Sequence, residues 1–453
     1  MYRVALFPVR VIWKVFSRTA SVVILPFSIL SWVLRLIPHF SEIARADAIG
    51  LGTAPTGFGH SVLGPDMLRR MYQGQRCIFF VASWRYENNP KVSLLWTDIK
   101  VVFVPRFISS IPYNKRVIAI PFLGWHDAMV VWVTRKLVGL LSGGCAKFLT
   151  LCDIYQEVLA LNNASLLSAG EKNKKVRFSG MMADVYLLTA QLYLLQNRIP
   201  APSLHLPTKI KADITTRLQR LWQKAGHDGQ AKICCLYLRF EERDATNTKL
   251  RNSSSLANHL PAIRLLNEAG YQVLLTGDFK IDAAIRHDRD GALVDSQSLG
   301  LEKDIYLLFA ASEADVFIGN HGGGVVLAMI NEIPSLFLDC FPYSIGRKNS
   351  WVYPKAARDK EGRPLPGRLL ITDFVYDLTA SFGTLLNNTE EEITDAVACF
   401  VEDVTNLDNP DPYADIAALI PQDTQFHITG ARLSPAWVRR NILNEDVVMR
   451  AWV

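Results

Sequence analysis

The residues best suited to chemistry here are cationic and glycine-rich, and their spacing fits the binding of a phosphate. The apolar run ending in CCLYL is followed directly by Arg239, and Arg243 and Arg251 follow within the polar stretch FEERDATNTKLRN. Each guanidinium can clamp two oxygens, so three of them beside a sheet edge suit a diphosphate. Glu241, Glu242 and Asp244 support a competing reading, a solvated loop that pairs with itself. Arg239 is the strongest of the three, because a charge closing an apolar strand is costly without a partner.

A second cluster lies in DVFIGNHGGGVVLAMINEIPSLF, residues 315–337. An apolar run ends at Asn320 and His321, Gly322, Gly323 and Gly324 follow, and the pattern then turns helical. Glycines here would let backbone approach an anion while N–H groups at the helix start point toward it. His321 could donate to a phosphate or a sugar hydroxyl. The alternative is a tight strand-to-helix corner with no ligand.

Near the N-terminus, Gly57-Phe58-Gly59-His60 precedes a helical pattern, and His60 is a candidate base or acceptor-orienting donor. His126 and Asp127, in FLGWHDAM, are its rivals. The P-loop pattern, the G-x-S-x-G elbow and the H-E-x-x-H zinc helix are all absent from the sequence. No metal site or cofactor is expected.

These residues need a frame to hold them. Short apolar runs at Cys77–Ala82, Val101–Pro105 and Val117–Phe122 predict buried parallel strands, with helices at 126–141, 153–161 and 181–198 and one starting near Gly64. The stretch 197–211 carries Pro200, Pro202 and Pro207 and reads as a linker. Beyond it the alternation is clear: helix 213–225, strand 233–239, helix 256–269 with Gly270 as its cap, strand 273–276, a weak strand at 292–294, helix 304–312, strand 316–318, helix 324–332 and strand 335–338.

Such a series predicts a doubly wound parallel sheet with ligands at the C-terminal strand ends. The expected architecture is therefore α/β, with two Rossmann-like doubly wound domains after an N-terminal membrane-associated helical segment. The expected divisions are an anchor at 1–40, an acceptor-side domain at 41–205, a donor domain at 206–412, and a C-terminal helical segment at 413–453 that could cross back to the first domain.

At 453 residues the chain is long enough for two cores. Its 20% charged and 49% apolar residues suit a globular protein. The seven cysteines are scattered and form no C-x-x-C pair, which predicts reduced, buried thiols in a cytosolic setting. The net charge is +6, of which Arg3, Arg10, Lys14, Arg18 and Arg35 carry +5 with no acid before Glu42, leaving +1 for the remainder. A general basic footprint for nucleic acid is thus absent.

The basic residues 3–18 fall within about 80° of one helix face, the remainder being apolar. The next apolar piece, Thr19–Leu34, is broken by Pro26 and is short of the roughly 20 residues a span needs. An interfacial anchor over residues 1–38, on the cytoplasmic side of the plasma membrane, is the expectation. Ala44-Arg45-Ala46 resembles a signal-peptidase site but lies too far from the apolar region.

Two resemblances bear on these residues. DIYLLFAASEADVFIGNHGGG is similar to the late nucleotide-binding stretch of protein O-fucosyltransferases. Arg239 in LYLR resembles the arginine of their H-x-R motif, whose histidine is Tyr237 here. The segment from CCLYLRFEERD to GYQVLLTGD more closely resembles a group of bacterial glycosyltransferases, over about residues 231–340. The wider resemblance is to two-domain GT-B glycosyltransferases, in which a GG turn begins the helix that meets the donor phosphates.

The GT-B resemblance implies a metal-independent transfer from a nucleotide sugar to a lipid-linked or surface-glycan acceptor, as in polysaccharide biosynthesis, and inversion fits the fucosyltransferase resemblance. It assigns Arg239 and the 321–324 turn, with Asn320, to the leaving diphosphate, and Arg251 and Asn252 to secondary donor contacts. The family's ribose-binding glutamate corresponds to Leu327, so Asp278 or Asp304 would take that role. Gly57 and Gly59 would line the site beside His60. Non-catalytic glycan binding and epimerisation are the alternatives.

Overall fold

The computed structural model describes residues 26–27, 29–52, 58–83, 89–105, 120–161, 192–239, 252–277, 281, 285, 291–377, 380–406, 409–422 and 424–444. The chain forms two compact units, Met1–Ala160 and Leu161–Val453.

In the first unit β1 (Ala48–Gly52), β2 (Cys77–Ser83), β3 (Lys100–Pro105) and β4 (Lys147–Thr150) form a parallel sheet in the order β3-β2-β1-β4. One face packs against α1 (residues 29–36) and α3 (Ile120–Leu141), between which Ile49, Leu51, Ile78 and Phe80 meet Trp32, Leu36, Val130 and Val138. The other face receives α2 (Phe58–Met71).

There glycine is required by space. A β-carbon on Gly50 would lie 2.4 Å from the Phe79 ring, and one on Gly64 of α2 would lie 2.7 Å from it. Phe79 fills the gap that these two glycines leave between strand and helix.

Two sequence expectations change in this unit. Ile120, Pro121 and Phe122 open α3 and do not close a strand, while 117–119 lie outside the described residues. An apolar run of that length fits a buried helix equally well, and Pro121 suits a first helical turn. α2 begins at Phe58, well before Gly64, and carries Pro65 inside it.

The second unit is built on a parallel sheet of seven strands. Its members are β5 (Lys232–Leu238), β6 (Tyr271–Gly277), β7 (Leu293–Val294), β8 (Val316–Gly319), β9 (Ser335–Cys340) and β10 (Ser350–Pro354), with β13 (Arg432–Leu433) at one edge. Their order is β13-β10-β9-β8-β5-β6-β7. A separate antiparallel ribbon pairs β11 (Ala356–Asp359) with β12 (Gly383–Leu386).

The chain lays down β5, β6 and β7 in one direction, then returns to place β8 on the far side of β5. The topological switch point, where open α/β sheets hold ligands, is therefore the gap beyond the ends of β5 and β8. Register sets those ends side by side: Tyr237 is opposite Gly319, and Leu238 is opposite Gly277.

The surrounding helices follow from amphipathic patterning. α4 (Leu151–Leu161) follows β4, α5 (Thr208–Lys224) buries Ile214, Leu218 and Trp222, and α6 (Leu256–Glu268) ends before Gly270, whose φ of +85° suits a glycine cap. α7 (Lys303–Ser312) packs on β5 and β6. The proline-bearing stretch is strapped to this unit: Leu204 and Asn331 exchange two 2.8 Å hydrogen bonds, and Leu206 N donates to Glu313. α9 (Glu390–Val404) packs on α6 and on the short C-terminal helix α10 (Pro435–Val438).

Among the described residues no helix is long and apolar enough to cross a membrane. The sequence expectation for residues 1–25 lies outside the described residues.

Candidate functional site

The site grows from the C-terminal ends of β5 and β8. Beyond β5, Arg239 is half-buried, and its backbone is clamped on both sides to Ser253. Arg239 N donates to Ser253 Oγ at 3.0 Å, and Ser253 N donates to Arg239 O at 2.8 Å. The ends of the intervening loop are thereby tied together. Arg243 and Arg251, inside that loop, lie outside the described residues.

Beyond β8, Gly319 has φ +149°, and a β-carbon there would lie 2.1 Å from Tyr237 O. Only glycine permits this approach, which steers the chain across the end of β5. Asn320 is buried, receives its position from Asn320 N donating to Tyr237 O, and donates from Nδ2 to Asp339 O at 3.2 Å. Its Oδ1 is buried with no hydrogen-bond partner. His321 is also buried, with Nδ1 4.0 Å from Cys340 Sγ.

The three glycines then divide into two roles. Gly324 is buried, and a β-carbon on it would meet the Tyr237 ring at 2.6 Å, so it serves the corner. Gly322 and Gly323 are half-exposed, and the nearest atoms to a β-carbon on Gly322 are Tyr237 OH at 3.5 Å, Tyr237 Cε1 at 3.6 Å and Arg239 Nη1 at 3.7 Å. The guanidinium predicted from one loop thus lies against the glycine turn predicted from another. The helical stretch expected over 324–332 is a 3-10 turn, Gly323–Val325, followed by α8 (Val326–Ile330), whose residues are all buried.

Beneath this edge lies a polar network that the sequence reading passed over. Asp339, in the left-handed region at φ +51°, is fully buried. Its carboxylate accepts from Ser254 N at 2.7 Å and Asn388 N at 2.6 Å, and Asp339 N donates to Asn388 Oδ1 at 2.6 Å. Lys355 is equally buried. Its Nζ donates to Asn252 O at 2.8 Å and to Asn387 Oδ1, and stands 3.9 Å from Asp339 Oδ1. Burial pushes the Lys355 ammonium pKa down, opposed by the nearby Asp339 charge.

The result is a fixed seat for Asn252 and Ser253, and through Ser253 for Arg239. The signal was available in the sequence. Asp339 and Lys355 each stand as lone charges in or directly after apolar strands, the argument already applied to Arg239.

The other predicted residues are placed as follows. Asn252 is half-buried and reaches the network through its carbonyl. Asp304 lies in the first turn of α7, which packs against the Gly323–Val325 turn. Asp278 and Gly57 lie outside the described residues. Gly59 is buried in the first turn of α2, and His60 follows it, though its side chain lies outside the described residues, as do those of His126 and Asp127 in α3. In the first sheet β2 and β3 lie on one side of β1 and β4 on the other, so that sheet's switch point falls between β1 and β4.

An arginine side chain, a buried histidine and half-exposed glycine backbone at a sheet switch point are groups whose chemistry suits an anion such as a phosphate. Among the described residues no group of three His, Cys, Asp or Glu is arranged to hold a metal ion.

No protein-family model matches the chain, and no curated protein matches it. Solved structures do. A glycosyl transferase of family 9 from Veillonella parvula aligns at 9% identity over 65% of this chain and 81% of its own, with a TM-score of 0.35. The wall teichoic acid polymerase TagF aligns at 10% identity over 92% and 96%, with a TM-score of 0.29. The spinosyn rhamnosyltransferase SpnG aligns at 13% identity over 88% and 99%, with a TM-score of 0.29.

Proposed function

We propose that the protein is a glycosyltransferase that takes a nucleotide-diphosphate sugar as donor and a glycan or lipid-linked acceptor. The observation that carries this reading is the meeting of Arg239 with Gly322 at the switch point of the second sheet. As the glycosidic bond breaks, negative charge collects on the leaving diphosphate, and fixed donors aimed at it lower the barrier. Arg239 supplies the bidentate clamp, and Gly322 and Gly323 let the phosphates approach the backbone. His321 gives one donor if its ring turns toward the ligand. Arg239, not a divalent ion, carries the positive charge in this reading.

Asp304, at the start of α7, is assigned to the ribose hydroxyls. His60 is assigned to the acceptor hydroxyl as base or orienting donor, and inversion at the anomeric carbon follows from a single displacement. The seven free thiols, four of them buried and Cys145 exposed, fit a reducing compartment, and the inner face of the membrane is the location assigned in this reading.

Titration calorimetry with UDP, GDP, CDP and dTDP tests the donor site. One of them should bind, and Arg239→Ala should weaken that binding by roughly tenfold or more. Equal affinity in wild type and variant would sink the assignment. Release of free sugar from the matching nucleotide sugar then separates an enzyme from a nucleotide-binding module, which would bind without turnover.

A further inference from the structure

We infer that the outward faces of α1 and α3 form one surface by which the first unit docks on an anionic lipid bilayer. The inference is independent of the glycosyltransferase reading. α1 is fixed to the unit by its inner side: Trp32 and Leu36 are buried in the core, and Trp32 Nε1 donates to the buried Thr134 Oγ1 of α3 at 2.9 Å. A helix held in this way is committed to the protein core on its inner side, which leaves only its outer side to meet a lipid surface.

Its outer side is apolar where solvent-facing helices are usually polar. Phe27, Leu30, Leu34 and Ile37, spaced three and four apart, are 63%, 56%, 55% and 49% exposed. On α3 the buried positions are Val130, Thr134 and Val138, and the opposite side carries Trp132 at 55% and Leu140 at 79% exposure. Two packed helices therefore turn exposed apolar side chains away from the same sheet face, as a strip on α1 and as Trp132 and Leu140 on either side of Lys136 on α3. Single exposed apolar residues are ordinary, whereas a contiguous set marks a contact surface.

Charge identifies the occupant. Residues 128–141 contain no acid, and Lys136 lies between Trp132 and Leu140 on the outer face, with Arg135 about 100° round the helix, reaching Asp153 at 3.7 Å. Arg35 flanks the strip of α1, and no acid precedes Glu42, while Arg3, Arg10, Lys14 and Arg18 lead into the helix. An apolar surface flanked by Arg35 and Lys136, with a tryptophan among its side chains, is complementary to anionic headgroups over acyl chains. A protein partner or a second copy of this chain would have no need of a basic surround.

The test is flotation of the full-length chain with vesicles of phosphatidylcholine containing about one-third phosphatidylglycerol. The wild type should float, less so as salt rises. Leu30→Asn with Leu34→Asn, and separately Trp132→Gln with Leu140→Gln, should each lower partitioning by about tenfold or more, since each pair withdraws apolar area from the bilayer. All four positions are exposed, so both variants should keep the wild-type melting temperature. Flotation unchanged in both variants would show that residues before α1 bind alone and would overturn the inference. So would loss of a dimer in sedimentation velocity with vesicle binding retained, since a second copy would then be the occupant.

Discussion

Arg239 Nη1 lies 3.7 Å from where a β-carbon on Gly322 would sit, although the two residues belong to different βα loops. Gly322 itself is extended, at φ 178°, a conformation open to any residue. Gly322→Leu should therefore fold normally while its side chain crowds the guanidinium. Gly324→Ala has the opposite profile, because its methyl group meets the Tyr237 ring at 2.6 Å. The expected results are a large loss of nucleoside-diphosphate affinity with unchanged melting for the first. For the second, about 1–3 kcal/mol of stability should be lost. Thermal melts and calorimetry on the two variants would separate cradle from corner, and equal destabilisation by both would refute the division of roles.

Replacement of Arg239 by lysine asks whether charge alone suffices. A lysine keeps the charge but loses the planar fork that grips two oxygens at once. If the fork matters, Arg239→Lys should retain only a small part of the affinity, and Arg239→Ala should lose on the order of 1.5–3 kcal/mol of binding, roughly ten- to more than hundredfold. A lysine variant that binds like wild type would show that a point charge is enough.

Lys355 acts on the site at one remove. Its ammonium holds Asn252 O and Asn387 Oδ1 in a place closed to water. Lys355→Met preserves the apolar stem and leaves those acceptors, and the buried Asp339 carboxylate, without the cation. Stability should fall by about 2–4 kcal/mol, read as a lower urea midpoint. Nucleotide affinity should fall too, because the Asn252–Ser253 seat of Arg239 loosens. A variant with the lower midpoint but intact affinity would confine Lys355 to folding.

The first unit holds a comparable buried group. Asp66 is fully buried and receives Arg69 Nε at 2.8 Å and Arg70 Nε at 2.9 Å, while Arg69 also reaches Asp98 at 3.1 Å and stacks 5.0 Å from the Trp96 ring. Both arginines are themselves buried. Asp66→Ala would remove the buried carboxylate that both guanidiniums share, leaving Asp98 as an acid partner of Arg69, with an expected cost of about 3–5 kcal/mol. Chemical denaturation would check this, and a loss below 1 kcal/mol would mean that water or Asp98 takes over the charge.

Legibility in the sequence followed the physics of each element. The alternating strands and helices of the second unit could be read because β5, β6, β8 and β9 are apolar runs, β5 closed by Arg239 and the others ending at or beside glycine, asparagine or aspartate. Arg239 and Gly322 could be read for the same reason, and the register of Tyr237 with Gly319 joined them. β1 escaped because AIGLG holds two glycines, which normally weaken a strand, and only the Phe79 ring explains them. α9 escaped despite a complete capping box, in which Thr389 Oγ1 accepts from Glu392 N and Glu392 Oε2 accepts from Thr389 N. Asp339 and Lys355 escaped because their partners, Ser254 and Asn388 for one and Asn252 and Asn387 for the other, are distant in sequence.

The buried thiols set the response to alkali. Cys235 and Cys340 are wholly buried, and loss of hydration pushes each thiol up to about 12 from an ordinary value near 9. Because the folded values are raised, the folded chain holds these protons while the unfolded chain releases them. The stabilisation is complete below pH 9 and is lost progressively between pH 9 and 12. At pH 10 each thiol should account for roughly 1.4 kcal/mol of lost stability relative to neutral pH. Tyrosines such as Tyr306 and Tyr343, also raised by burial, add to the fall in the same direction. Comparison with Cys235→Ala and Cys340→Ala isolates the thiols: each variant should be less stable at pH 7 because of the lost packing, yet should lose less on going from pH 8 to pH 10. Denaturation midpoints that fall in parallel for wild type and both variants would show that neither thiol contributes to the alkaline transition.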